Sequence, residues 1–93
     1  MPAPADEPEL VLGQTIYSNN CSSCHKADGS GGRGLALNEG LVIEKYPDPA
    51  DQAALIANGK GLMPSYSARL SAEQLDAVVR YTREVLNNAA AGE

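Results

Sequence analysis

The stretch Cys21-Ser22-Ser23-Cys24-His25 decides how the rest of the chain must be read, because it sets two thiols and an imidazole within five residues. Several chemistries use such a cluster. Zinc needs four ligands rich in Cys and His, and the whole chain holds two Cys and one His, so that option fails by count. A disulfide across two residues would close almost no loop and would staple little. A redox dithiol of this spacing belongs in a βαβ setting, whereas here the pair follows a helical pattern and leads into a glycine-rich segment. There remains covalent haem attachment, for which Cys-x-x-Cys-His is the sequence signature. The two intervening residues place each sulfur where it can add to a haem vinyl group, and the next His falls beneath the iron. The dithiol reading is the competing one.

Downstream, Asp28-Gly29-Ser30-Gly31-Gly32-Arg33-Gly34 carries more glycine than a helix or central strand tolerates, so 21–40 reads as loop. It has no Gly-Lys-Ser/Thr and no preceding strand, which removes a phosphate-binding loop. A haem with one His has a sixth iron position, and Met63 is the candidate for it. The other methionine, Met1, lies in the opening tail. Met63 stands 38 residues after His25, enough chain to cross from one face of a flat cofactor to the other. Pro64 fixes its own φ and pushes Met63 toward extended backbone. Without the upstream motif, Met63 would read as an ordinary core filler.

The flanking segments are helical. Over 10–20 the apolar residues Leu10, Val11, Leu12, Ile16 and Tyr17 recur on one side, with Pro8 and Glu9 suited to a first turn. A second helix is expected over Pro49–Asn58, capped by Asp48 and stopped by Gly59, and a short turn over 41–43. The last starts at a Ser71-x-x-Gln74 capping box and repeats Leu75, Val78, Val79, Thr82, Val85 and Leu86 at helical spacing toward a frayed Asn87-Asn88-Ala89 end. No run alternates with period two, so the fold is expected to be all-α. The chain divides accordingly into a Pro/Ala-rich acidic tail or linker over 1–9, one domain over 10–88 and a flexible end over 89–93.

Composition agrees with a cofactor in the core. A chain of 93 residues buries little of its own surface, and this one has no Trp, no Phe and four Tyr. The net charge of −5 argues against nucleic acid or an anionic membrane surface. No run reaches the roughly 20 apolar residues of a membrane span, and the start lacks a signal-peptide pattern; we expect a removed signal or anchor to precede it.

With these residues in view, the chain resembles the class I cytochrome c family, in particular its short bacterial monohaem members, over roughly 10–86. The resemblance rests on the haem motif, on Gly13 with Tyr17, on Met63-Pro64 and on Tyr81. It implies three main helices with loops wrapped around one covalent haem, and first and last helices that cross where Gly13 admits Tyr81. One departure stands out: the family commonly has Gly-x-Gly-Pro-x-Leu after the motif, and here the run is Gly32-Arg33-Gly34-Leu35-Ala36-Leu37. The family's Pro carbonyl accepts the proximal His N–H, and a carbonyl survives in Leu35. The resemblance thus implies a haem site of Cys21, Cys24, His25, Leu35, Leu37, Tyr46, Met63 and Pro64, with His25 and Met63 on the iron.

Such a site implies an electron carrier and not an enzyme: both axial positions are filled, and a thioether with burial favours ferrous iron. Electrons would pass at the haem edge near Cys21 and Cys24, with Lys26 and Lys60 around it. The expected partners are redox proteins with a basic or neutral docking surface, met by a monomer in the periplasm or at the extracytoplasmic face of a bacterial membrane. Two alternatives remain, a haem domain of a larger or membrane-anchored respiratory oxidoreductase and a haem sensor or enzyme whose Met63 dissociates.

Overall fold

Pro8 opens the first helix because its fixed φ suits the first helical position and its missing N–H would have had no intrahelical partner there. In a computed structural model, which describes residues 7–26, 29–32, 34, 36–59 and 63–87, this helix, α1, spans Pro8–Asn20. After it come α2 (Ser22–His25), α3 (Leu41–Lys45), α4 (Pro49–Asn58) and α5 (Ala72–Tyr81), which runs on into a π-helical turn over Thr82–Leu86. No strand forms among the described residues, as the sequence pattern implies.

The face of α1 that is buried carries Leu10, Gly13, Ile16 and Tyr17, the three-and-four spacing of one helical side. Val11, grouped with them from sequence, falls off that stripe and is 39% exposed. The helix starts at Pro8, so Glu9 is not tail: its carboxylate meets the Arg80 guanidinium at 3.0 Å. That pair is about two-fifths exposed and registers the two helices more than it stabilises them.

The capping box forms as expected. Ser71 Oγ accepts from the Gln74 N–H at 3.2 Å and the Ser71 N–H donates to Gln74 Oε1 at 2.8 Å. From there α5 crosses α1 at the one position in α1 without a side chain. A Cβ on Gly13 would lie 2.7 Å from Tyr81 Cβ and would overlap the Ala77 carbonyl. The Tyr17 and Tyr81 rings pack beside the crossing with centroids 5.6 Å apart and planes tilted by 48°. Together with Val78 and Leu86 they are the largest fully buried side chains. Two of the four tyrosines are thus spent where the terminal helices meet.

Asp48 caps α4 by accepting the Ala50 N–H at 2.9 Å, and Gly59 ends it at φ +75°. Two expectations need correction. The segment 21–40 is not all loop, since 22–25 closes one helical turn that carries the haem motif. Asn87 is not frayed: it is buried, its carbonyl accepts from Gly40 N–H at 2.6 Å and its Oδ1 from Ile43 N–H at 3.0 Å. The π-helical turn explains the difference, because its wider winding turns Asn87 toward α3. Asn88 and the expected tail ends, 1–6 and 89–93, lie outside the described residues.

Candidate functional site

Residues of every helix border a cavity of about 760 Å3, within the size range of sites that enclose a small molecule or cofactor. Its bordering residues include three groups: Cys21, Cys24 and His25, here termed the motif wall; Met63, Pro64 and Tyr66, the distal wall; and Leu55, Ile56 and Val78, the apolar floor. Leu37 and Tyr46 also border it, so seven of the eight residues expected at the site lie around one space. The eighth, Leu35, lies outside the described residues, as does Lys60.

The motif is held in place by what surrounds it. α2 is one turn long, so its carbonyls need donors from elsewhere. The glycine-rich segment supplies them: Gly34 N–H bonds the Cys24 carbonyl at 2.9 Å and Gly31 N–H bonds the His25 carbonyl at 3.0 Å. Gly34 is thereby drawn across the imidazole, where a Cβ would come within 2.5 Å of Cε1 and 2.7 Å of Nδ1. Glycine is required there to admit the ring.

Lys26, the residue after the motif, has φ +65° and ψ 158°, a region that is almost glycine's alone. The Tyr17 hydroxyl reaches from α1 to the Lys26 carbonyl at 2.6 Å and holds this strained peptide. Strain of this kind costs about 1–3 kcal/mol, while glycine's extra chain entropy costs about 0.5–1 kcal/mol. Lys26→Gly is therefore expected to raise the melting temperature by several degrees, measured by thermal denaturation; a fall would show that the lysine backbone is unstrained.

Burial, and then the neighbouring Cys24, push the Cys21 thiol up to about 11. A reactive dithiol needs the opposite, a depressed pKa that supplies thiolate at neutral pH. A thiol raised in this direction does not suit the redox-dithiol reading.

The distal wall is tied down separately. Ser65 Oγ and the Tyr66 and Ser67 N–H groups all donate to carbonyls at the end of α4, the first at 2.6 Å to Ala57. The Met63 carbonyl passes so close to Gly59 that a Cβ there would lie 2.6 Å away. Burial raises the Tyr66 phenol, which remains a donor, and its hydroxyl bonds the Asn20 carbonyl at 2.9 Å.

Sequence reasoning missed several members of this wall. Gln52 is buried, donates to Thr82 Oγ1 at 2.6 Å and accepts from Arg83 at 3.4 Å, and Arg83 also donates to the Tyr46 carbonyl at 2.6 Å. Gln52, Thr82 and Tyr46 of this polar network border the cavity, and the signal for it in the sequence is a lone Gln on the Ile56 face of α4. Lys45 also borders the cavity. The donor set fits a covalent haem: two thiols, an imidazole and a thioether border one cavity together with apolar side chains.

The chain matches the family described as cytochrome C oxidase, cbb3-type, subunit III, over residues 8–81. It is 33% identical to cytochrome c6, chloroplastic, of Chlamydomonas reinhardtii, across 95% of this chain and 62% of that relative. It is 31% identical to cytochrome c6 of Bryopsis maxima, across 85% of this chain and 94% of that one. Among solved structures, cytochrome c6C from Synechococcus sp. PCC 7002 superposes with a TM-score of 0.67 at 30% identity, covering 78% of this chain and 92% of its own.

Proposed function

The chain belongs to the class I c-type cytochromes, electron-transfer proteins with one covalent haem c, and from that premise we propose which of its residues do the work. Cys21 and Cys24 form the two thioethers, His25 is the proximal ligand and Met63 the distal one. When bound, the haem supplies an iron that gains and loses one electron. With His25 and Met63 both holding the iron, no position on it would be left for oxygen or a substrate, which suits an electron carrier. The soft, neutral thioether of Met63 favours ferrous iron, and the apolar floor of Leu55, Ile56 and Val78 penalises the extra ferric charge. Lys45 is the ammonium that the described wall offers to the propionate carboxylates. Gly34 and Tyr17 fix the proximal side, and Gly59 with Ser65 fixes the distal side, so oxidation and reduction require little movement of the chain. The observation that carries this reading is the convergence of Cys21, Cys24, His25 and Met63 on one cavity.

Charge points to the partners. With a net charge of −5, the chain suits a redox partner with a basic or neutral docking surface, and with a basic one opposite fields would steer the encounter. Thioether formation of this kind supports a location on the extracytoplasmic or lumenal side of a membrane, the bacterial periplasm being the placement proposed for this chain. The match to an oxidase subunit supports a second placement, in which the same domain passes electrons within a respiratory assembly. The site chemistry is the same in both.

Met63 provides the test. The haem-loaded wild type is expected to resist carbon monoxide in its reduced form and to show the weak long-wavelength band of a thioether on ferric iron. Met63→Ala should lose that band, bind carbon monoxide and show a lower midpoint potential, while Met63→His should stay six-coordinate at a lower potential. An unchanged spectrum in Met63→Ala would assign the sixth position to another residue, and ready carbon monoxide binding by the wild type would favour a sensor.

A further inference from the structure

The residues 65–67 just after Met63 are bonded almost wholly to one element, the end of α4. Tyr66 N–H is shared between the Ile56 and Ala57 carbonyls at 3.2 Å each, Ser67 N–H bonds Ala57 at 3.0 Å, and Ser65 Oγ bonds the same carbonyl. Among the described residues, these contacts fix the distal loop to the end of α4 and do not themselves reach the motif. The Tyr66 side chain supplies that link. Its ring is 5% exposed, and its hydroxyl crosses to the carbonyl of Asn20, the last residue of α1 and the one directly before Cys21. A carbonyl in the last turn of a helix has no intrahelical donor, so the acceptor is available. The guanidinium of Arg69 lies over the ring, 5.6 Å from its centroid.

We propose that Tyr66 is a positioning residue for the distal ligand: a strut from the Met63 loop to the peptide before Cys21 that sets the separation of the two cavity walls and keeps Met63 at the sixth position. The inference rests on the Met63 assignment above. It requires the hydroxyl and not merely the ring, since phenylalanine would fill the same space without reaching Asn20. Without the strut, the loop remains on α4 but can swing relative to the motif wall, and an external ligand competes with Met63 more easily.

The experiment is an imidazole titration of the ferric, haem-loaded chain, followed through its Soret shift, for wild type, Tyr66→Phe, Arg69→Ala and Met63→Ala. Tyr66→Phe is expected to bind imidazole about fivefold more tightly than wild type, the scale of one net hydrogen bond, and to show a weakened thioether band. Arg69→Ala keeps the hydroxyl and should bind as wild type does. Met63→Ala sets the affinity of a site with no competing thioether. A Tyr66→Phe protein with wild-type imidazole affinity and an intact band would overturn the proposal, even if its melting temperature fell, because that is the signature of a packing role alone. If Arg69→Ala weakened the band as much as Tyr66→Phe, ring placement would replace the hydroxyl strut and the proposal would fall. If wild type already matched Met63→Ala, the Met63 assignment itself would fail, a result distinct from either.

Discussion

Gly13→Ala is expected to destabilise the fold, although alanine is the better helix former by about 1 kcal/mol. Propensity and packing predict opposite signs here. The added Cβ would lie 2.7 Å from Tyr81 Cβ and overlap the Ala77 carbonyl, and the second of these is backbone that cannot turn aside. The two helices must move apart, and the Tyr17–Tyr81 ring pair beside them loosens as they do. Gly13→Leu extends the same overlap. Overpacking costs about 1–3 kcal/mol, and in a domain of this size each kcal/mol moves the melting temperature by about 4–8 °C. A fall of about 10 °C or more is expected for the leucine variant and a smaller fall for alanine, measured by circular dichroism on the haem-loaded protein. A melting temperature that rises in Gly13→Ala would show that propensity wins and that the helices do not meet there.

This crossing was legible in the sequence through the resemblance, since Gly13 in a helical run is costly unless something passes close. Local signals did the same for α4 and α5: a cap acts over three residues and a helical stripe over ten, so Asp48, Ser71 and Gln74 announce their structure within a short window. The site was legible for a related reason, since Cys21-x-x-Cys24-His25 keeps its meaning wherever it is placed and makes Met63 worth seeking. What escaped depends on contacts between distant segments. Gly34 reads as one more loop glycine until it is seen against the His25 ring. Tyr66 reads as a residue after Met63-Pro64 until its hydroxyl is found on Asn20, 46 residues away. Asn87 reads as a frayed end because nothing in Asn87-Asn88-Ala89 reveals a π-helical turn that directs it to Gly40 and Ile43. Val11 was misplaced for the opposite reason: its apolar character was counted, but one step along a helix is 100° of rotation, enough to carry it to solvent.

Gly34→Ala is expected to damage the proximal side of the site as severely as Gly13→Leu damages the fold. An alanine methyl would come within 2.5 Å of His25 Cε1, 2.7 Å of Nδ1 and 2.9 Å of Nε2, so it would sit against the ring face and not at its edge. Gly34 cannot simply withdraw, because its N–H is the donor to the Cys24 carbonyl at 2.9 Å. Either that bond breaks and the glycine-rich segment lifts, or the imidazole turns out of line with Met63. Both routes would weaken the hold that the proposed ligand His25 has on iron, while Cys21 and Cys24 would remain able to attach the cofactor. The expected product is a chain that still carries covalent haem in reduced yield, with near-native helix content, since the α1–α5 crossing does not involve Gly34. Its ferric spectrum should contain a high-spin component absent from wild type, and its midpoint potential should be altered. These readouts separate the two glycines: Gly13 variants lose stability before ligation, and Gly34→Ala loses ligation before stability. A Gly34→Ala protein with a wild-type low-spin spectrum and potential would mean that the ring is free to stand elsewhere, and that this glycine does not define the place of the proximal ligand.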